Sequence, residues 1–376
     1  MDRNLIEHEF PLENGLIYLN HAAVAPWPAR TRDAVRQFAG ENTGSGALHY
    51  NRWLQKESEL RGQIQRLLNA PSSDDIALVK NTSEALSIVA TGLDWQSGDN
   101  IVTTAEEFPS NRIPWQALAD QGVVLREVNI RGESPEQNLL AVCDNHTRLL
   151  TVSSVQYGSG IRLDLQILGK YCHDHGILFC IDAIQSLGAI TMNVQANYAD
   201  FVMADAHKWL LGPEGIALFY SKPDARDRLR LHQFGWHMVE NIDFNSREWR
   251  IARSARRFEC GSPNMLGIHA MSASLSLLEQ IGYREIEQAV LRNSAYLIER
   301  LGQIKGIQIP TPAPESRHAG IINFTVADRD MQEIQNNLLK HKILSVYRGG
   351  GLRFSPHFHV TEQQLNKAIE VLLLSI

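Results

Sequence analysis

The sequence predicts an α/β fold: a large domain with a mostly parallel central sheet flanked by helices, then a smaller α/β domain. Three observations predict it. Short apolar runs recur through the first two thirds of the chain, with helix-like stretches between them. Most of these runs are apolar on both faces, as a strand covered by helices on both sides requires. After residue 264 the pattern changes to two long helical periodicities followed by a few more short runs.

The elements follow in order. Runs at 76–79, 100–104, 123–128, 149–155, 177–181, 201–204 and 216–220 read as strands, with helices at 83–93, 111–119 and 163–175 between several of them. Such alternation implies parallel pairing through helical crossovers. Further on, 266–281 and 283–305 read as helices broken at Gly282, and 320–326 and 343–347 as strands. A last amphipathic helix starts at Thr361, where Thr361 and Gln364 have the spacing of a capping box. The stretch 310–316 is a Pro/Ser-rich surface loop. The expected division is an N-terminal segment 1–25 packed on the small domain or over the active site, a large domain 26–264 and a small domain 265–376.

A chain of 376 residues fits two domains. Its net charge of −6, with basic residues spread along the length, argues against nucleic acid or an anionic membrane as partner. Cys143, Cys172, Cys180 and Cys260 form no Cys-x-x-Cys pair and suggest no disulfide framework. A reducing, cytoplasmic location is expected. The first residues lack the apolar core of a signal peptide, and no stretch approaches the ~18 apolar residues of a membrane span.

Chemistry-bearing residues gather where strands end, the edge at which open α/β sheets bind ligands. Asp182-Ala183-Ile184-Gln185 follows one run and Asp205-Ala206-His207-Lys208-Trp209 the next, while 76–79 leads into Asn81-Thr82-Ser83-Glu84 and a helix. A lysine desolvated at that edge loses its proton more easily and becomes a nucleophile. An aspartate beside it can keep a pyridine nitrogen protonated, the arrangement on which pyridoxal-phosphate (PLP) chemistry depends. Asn81–Ser83 offers backbone N–H groups and two hydroxyls at a helix start, which suits a phosphate. Each feature alone has an ordinary alternative: a solvated lysine, a turn-forming aspartate, an Asn-capped helix. Their joint occurrence, in this order, favours the cofactor reading. His357 and His359 have no carboxylate or cysteine partner nearby, and no metal is expected.

At these residues the chain resembles the class V aminotransferase family of fold type I PLP enzymes, over nearly its whole length. The resemblance is carried by Tyr18-Leu19-Asn20-His21-Ala22-Ala23, Asn81-Thr82-Ser83-Glu84-Ala85, Asp182-Ala183-Ile184-Gln185, His207-Lys208-Trp209, Phe258-Glu259-Cys260-Gly261-Ser262-Pro263-Asn264 and Leu352-Arg353-Phe354-Ser355-Pro356-His357. It implies a Schiff base through Lys208, Asp182 on the ring nitrogen, Gln185 on the phenolic oxygen, and Thr82, Ser83 and His207 on the phosphate. Asp205 stands where the family often has a serine, and a carboxylate there would repel phosphate. Phe108 resembles the aromatic that stacks on the cofactor, where many relatives carry histidine. Ser262 resembles the residue that reaches the phosphate from a partner subunit, which implies a homodimer with shared active sites. Arg353 resembles the clamp for the substrate carboxylate, with Asn20 and His21 roofing the site; His21 is either an acid–base group or a packing residue. Ser154 and Gln156 are weaker cofactor neighbours.

The resemblance implies a small amino-acid-like substrate handled at its α-carbon and amino group. Cysteine desulfurases in this family carry a thiolate on a loop shortly before the arginine motif. Here 343–353 contains no cysteine, and the last one in the chain is Cys260. The leading expectation is therefore an isopenicillin N epimerase-like or C–S lyase-like enzyme. A true aminotransferase is the alternative, and a persulfide-forming desulfurase is disfavoured. The side-chain pocket is expected among loops such as 42–51, with Tyr50, and 234–244, with Trp236 and His237.

Overall fold

The structure, a computed structural model, describes residues 2–376. A two-residue strand, β1 (Ile17–Tyr18), precedes the large sheet. That sheet contains β2 (Ile76–Val79), β3 (Asn100–Thr104), β4 (Val124–Val128), β5 (Thr147–Ser153), β6 (Leu178–Asp182), β7 (Phe201–Asp205) and β8 (Ala217–Ser221). The strand order is β2-β8-β7-β6-β5-β3-β4, and only β8 runs antiparallel to its neighbours. Alternate residues of β6 supply the two faces. Phe179 and Ile181 enter one core with Trp53, Leu60 and Leu275; Leu178 and Cys180 enter the other with Leu86 and Phe219. Strands buried on both faces read as unbroken apolar runs, which is why the sequence located them.

The small sheet is antiparallel: β9 (Ile307–Gln308), β10 (Ile322–Val326), β12 (Val346–Arg348) and β13 (Gly351–Phe354), in the order β12-β13-β10-β9. The run at 343–347 is divided. Its first part is β11 (Ile343–Leu344), which pairs with β1, and only the second joins the small sheet. This pairing fastens residues 17–18 to the C-terminal region, and the Ala25 amide donates to the His207 carbonyl at 2.8 Å. The opening segment thus touches both the small sheet and the lysine loop. The final helix, Glu362–Leu373, starts with the expected Thr361–Gln364 capping box.

Three departures have physical causes. The helix Met265–Ile281 was expected to open the small domain, but Ile268, Met271 and Leu275 pack into a large-sheet core, and the small-sheet core takes over at Leu297. By packing, the transition falls within the helix Tyr283–Gly302. At 111–119 only Ile113–Gln116 is α-helical; Pro114 has no N–H and suits only a helix start. The segment 42–51 is largely the end of one helix, Ala29–Ser45, and the start of another, Tyr50–Leu68, rather than a loop.

Candidate active site

A cavity of about 300 Å³ lies at the carboxyl ends of β5, β6 and β7. It brings together six of the expected residues: Thr82, Phe108, Asp182, Gln185, His207 and Lys208. Lys208 is buried, and among the described residues its amine has no hydrogen-bond or ion-pair partner. Burial drives its pKa below the ordinary lysine value, against the nearby Asp182, and Arg353 and Arg348 add to the effect. Asp182 shifts the other way: burial raises it, and the Glu107 carboxylate adds to that. Its Oδ1 accepts from the Ile184 amide at 3.0 Å, and among the described residues no cation forms an ion pair with it. An amine that burial makes easier to deprotonate and a carboxyl that burial makes harder to ionise thus share one cavity. A cationic ring nitrogen beside Asp182 would supply the missing charge.

At another part of the wall the Asn81 side chain caps the helix Thr82–Gly92, accepting from the Glu84 amide at 2.8 Å. Thr82 Oγ1 accepts from the Asp205 amide at 3.1 Å, so its own proton is free for a ligand. His207 is pushed down to about 4, by burial first and then by Lys208. Asp205 is pushed up to about 6 by burial. Phe108 forms a side wall, its ring centroid 5.6 Å from Lys208 Nζ and edge-on to Tyr157 at 5.1 Å. Gln185 is held on both sides: it donates to the Ala22 carbonyl at 3.0 Å and accepts from the Trp209 indole at 3.1 Å.

The remaining expected residues stand back from this lining. Ser83 is exposed and donates to Ser110, which does line the cavity, at 2.8 Å. Ser154 bonds Ser186 at 2.6 Å and the Asp182 carbonyl at 3.2 Å; it fixes the Asp182 backbone and faces a different groove. Gln156 donates to Glu107 at 3.1 Å. His21 is fully buried between Tyr18, Trp209, His357 and His359, with Nδ1 on the Ser355 carbonyl at 2.9 Å. Burial and His357 hold its pKa well below 6.5. This environment is that of a packing residue, and Ala22, Ala23 and Val24 form the roof instead. Asn20 bridges to Ser355.

Arg353 is fully buried. One amino group donates to the Tyr157 carbonyl at 2.7 Å, while Nε and the other amino group have no partner among the described residues. Burial, and then Arg348, push its pKa down to about 9. Arg353 stands behind the cavity wall, which carries Arg348 instead. Ser262 is exposed and absent from the lining; it lies in a surface groove with Lys80, Glu84 and Cys260.

Sequence reasoning missed Arg348, Tyr157, Ser110 and Ser153, all of which line the cavity. The only signal for Arg348 was its place before Gly349-Gly350-Gly351. Glu107 was quoted only as a neighbour of Phe108. It is buried and accepts from Thr104, Asn111, Ser153 and Gln156, which pins the loop that carries Phe108. Elsewhere Glu57, His237 and Glu259 converge as metal ligands might. Arg61 occupies that place, bonding Glu57 at 2.6 Å and Glu259 at 2.7 Å, and supplies the positive charge itself.

The profile of the aminotransferase class-V family matches residues 17–360. A probable cysteine desulfurase of Methanothermobacter thermautotrophicus is 30% identical, over 98% of this chain and 96% of its own length. The chain belongs to the class-V aminotransferase family. It is therefore a PLP-dependent enzyme of fold type I. Among solved structures, an apo cysteine desulfurase from Thermococcus onnurineus superposes with a TM-score of 0.88 at 25% identity, covering 98% of this chain and 97% of the other. A cystine C–S lyase, solved with cysteine persulfide, superposes with a TM-score of 0.89 over 96% and 99% of the two chains. At 23% identity the latter is a likeness of fold. The residues present fit the cofactor of this class-V enzyme. A partnerless amine suits its aldehyde, an unpaired buried carboxylate its ring nitrogen, and a capped helix start with Thr82 its phosphate.

Proposed function

We propose that this class-V enzyme is a carbon–sulfur lyase acting on a small cysteine-derived amino acid, without a protein persulfide. One observation carries the reading. No cysteine lines the Lys208 cavity, and Cys143, Cys172, Cys180 and Cys260 all lie elsewhere, while the relatives are called cysteine desulfurases. Cys172 and Cys180 are buried, and burial raises their thiols far above the ordinary value, which makes them inert. The fold likeness to a cystine C–S lyase agrees.

Bound PLP supplies an aldehyde for amines and a ring that withdraws electrons from the α-carbon. The protein's part follows from its side chains. Asp182 would keep the ring nitrogen protonated. Lys208, its pKa lowered by burial, would be the base that takes the substrate's α-proton. Arg353 would fork onto the substrate carboxylate and orient the α-carbon, with Arg348 beside it. Phe108 would cover one ring face with apolar surface and exclude water. The cavity of about 300 Å³ must hold cofactor and substrate together, which favours a short substrate side chain.

Products distinguish the reactions. Elimination converts cysteine and water to pyruvate, ammonia and hydrogen sulfide, whereas desulfuration gives alanine. The expected result with cysteine or cystine is pyruvate, measured by mass spectrometry. Alanine would overturn the proposal, and a keto acid that still carries the substrate's sulfur would point to transamination. Exchange of the α-proton with deuterated water, without either product, would favour an epimerase.

The reading includes a homodimer in which Ser262 approaches the phosphate of the neighbouring subunit. Its exposure, away from the Lys208 cavity of its own chain, supports this. Sedimentation equilibrium should report a dimer, and a stable monomer with full cofactor content would exclude shared sites.

A further inference from the structure

We propose that Asp205 and His207 act as one unit, a carboxylate–imidazole pair that presents an N–H donor to the cofactor's phosphate. The proposal rests on the placement of that phosphate at Thr82 and His207.

Both residues stand at the end of β7, one residue apart, and both line the cavity. Asp205 Oδ2 lies 3.7 Å from His207 Nδ1. Asp205 Oδ1 and His207 Nδ1 are buried and have no hydrogen-bond partner among the described residues. An unpaired buried polar atom is costly, and a shift of under about 1 Å would bring Nδ1 into bonding range of Oδ2. The Asp205 amide is already tied to Thr82 Oγ1 at 3.1 Å, so the aspartate is anchored at the same helix start.

The two nitrogens of an imidazole point in opposite directions. With Nδ1 turned to Asp205, Nε2 is the nitrogen left for a ligand in the cavity. A carboxylate on one ring nitrogen raises the basicity of the ring and fixes its tautomer. By themselves, burial and Lys208 hold the ring at about 4. A phosphate beside Nε2 and the carboxylate beside Nδ1 would both favour the charged ring, and a phosphate monoester, whose second ionisation is at about 6, can share its proton with it. An aspartate alone beside a phosphate would oppose binding. Paired with His207, its charge is spent on the ring, and the ring meets the phosphate as a donor. This accounts for an acidic residue where many relatives carry serine.

The test is a cycle of two ligands and four proteins. Purified enzyme stripped of cofactor is titrated by absorbance with PLP and with pyridoxal, which lacks the phosphate. The proteins are wild type, Asp205→Asn, His207→Gln and the double variant. Each single variant should bind PLP about tenfold more weakly, while pyridoxal binding changes less than about twofold. The double variant should be no weaker than either single one, because the residues act together. Unchanged or tighter PLP binding by Asp205→Asn would overturn the pair and leave a carboxylate that merely repels. Losses that multiply in the double variant would also overturn it, as would equal loss of PLP and pyridoxal. If His207→Gln fails to separate the two ligands, the phosphate placement itself is wrong.

Discussion

Lys208 and Asp182 each favour the other's charged form, yet burial dominates both and leaves the amine easier to deprotonate than an ordinary lysine. A neutral amine in a closed cavity attacks an aldehyde without first losing a proton to water. Lys208→Ala should abolish the visible absorbance of the lysine-linked cofactor and leave the far-ultraviolet circular dichroism unchanged. A linkage to the site that borohydride still reduces in that variant would place the reacting amine elsewhere. Arg353 makes a different demand, because two of its donors are buried and unpaired. Arg353→Gln should lower kcat/KM by about 100-fold while PLP affinity holds, the size of loss expected when a positioning clamp goes. Unaltered kinetics would remove the residue from the substrate site. At this scale the local motifs were legible, since Asp182, Gln185, His207 and Lys208 sit at strand ends that the sequence itself marks. Arg348 and Tyr157 were not, because their place in the cavity depends on a hairpin meeting a loop almost 200 residues away.

That meeting belongs to the scale of elements. The hairpin β12–β13 turns at Gly349 and Gly350, both in the left-handed region. A side chain at Gly349 would place its Cβ 2.6 Å from the Gly158 Cα, so two backbones touch where the hairpin tip docks beside Tyr157. Gly349→Ala should push this tip away, carrying Arg348 off the cavity while β13 keeps Arg353. The expected signature is a raised KM with little change in PLP affinity, and a KM equal to that of the native enzyme would show that the contact does not position Arg348. The strands were legible because burial on both faces leaves an unbroken apolar run. The helices Ala29–Ser45 and Tyr50–Leu68 were not, because most of their residues face outward and only narrow stripes, such as Trp53, Leu60, Ile64 and Leu67, are buried. A stripe that thin, among many polar residues, gives a weak periodic signal.

On the scale of the whole molecule, three distant stretches of chain meet behind the lysine loop. His21 comes from the opening segment, Trp209 follows Lys208, and His357 and His359 come from the segment after β13. His357 is fully buried, its Nε2 donates to the Trp209 carbonyl at 3.0 Å, and its Nδ1 accepts from the Phe358 amide at 2.8 Å. Both ring nitrogens are thereby committed to the neutral form, and burial pushes its pKa down to about 4. The sign of the consequence is fixed. An unfolded chain protonates this histidine near 6.5, whereas the folded one resists until about 4, so its contribution is complete above 6.5 and is lost as the pH falls between the two. The full difference is roughly 3 kcal/mol. Buried carboxyls such as Asp182 and Asp205 are raised instead and work in the opposite direction over the same interval, so the overall pH profile mixes the two. A comparison with His357→Gln separates the histidine from the carboxyls, which are common to both proteins, with only the smaller influence of His357 on His21 and His359 removed beside it. Urea unfolding should find the native enzyme more stable at pH 7.5, and the gap should narrow by up to roughly 3 kcal/mol on descending to pH 4. A gap independent of pH would mean that the imidazole titrates alike in both states, and the three-way junction would then rest on packing alone.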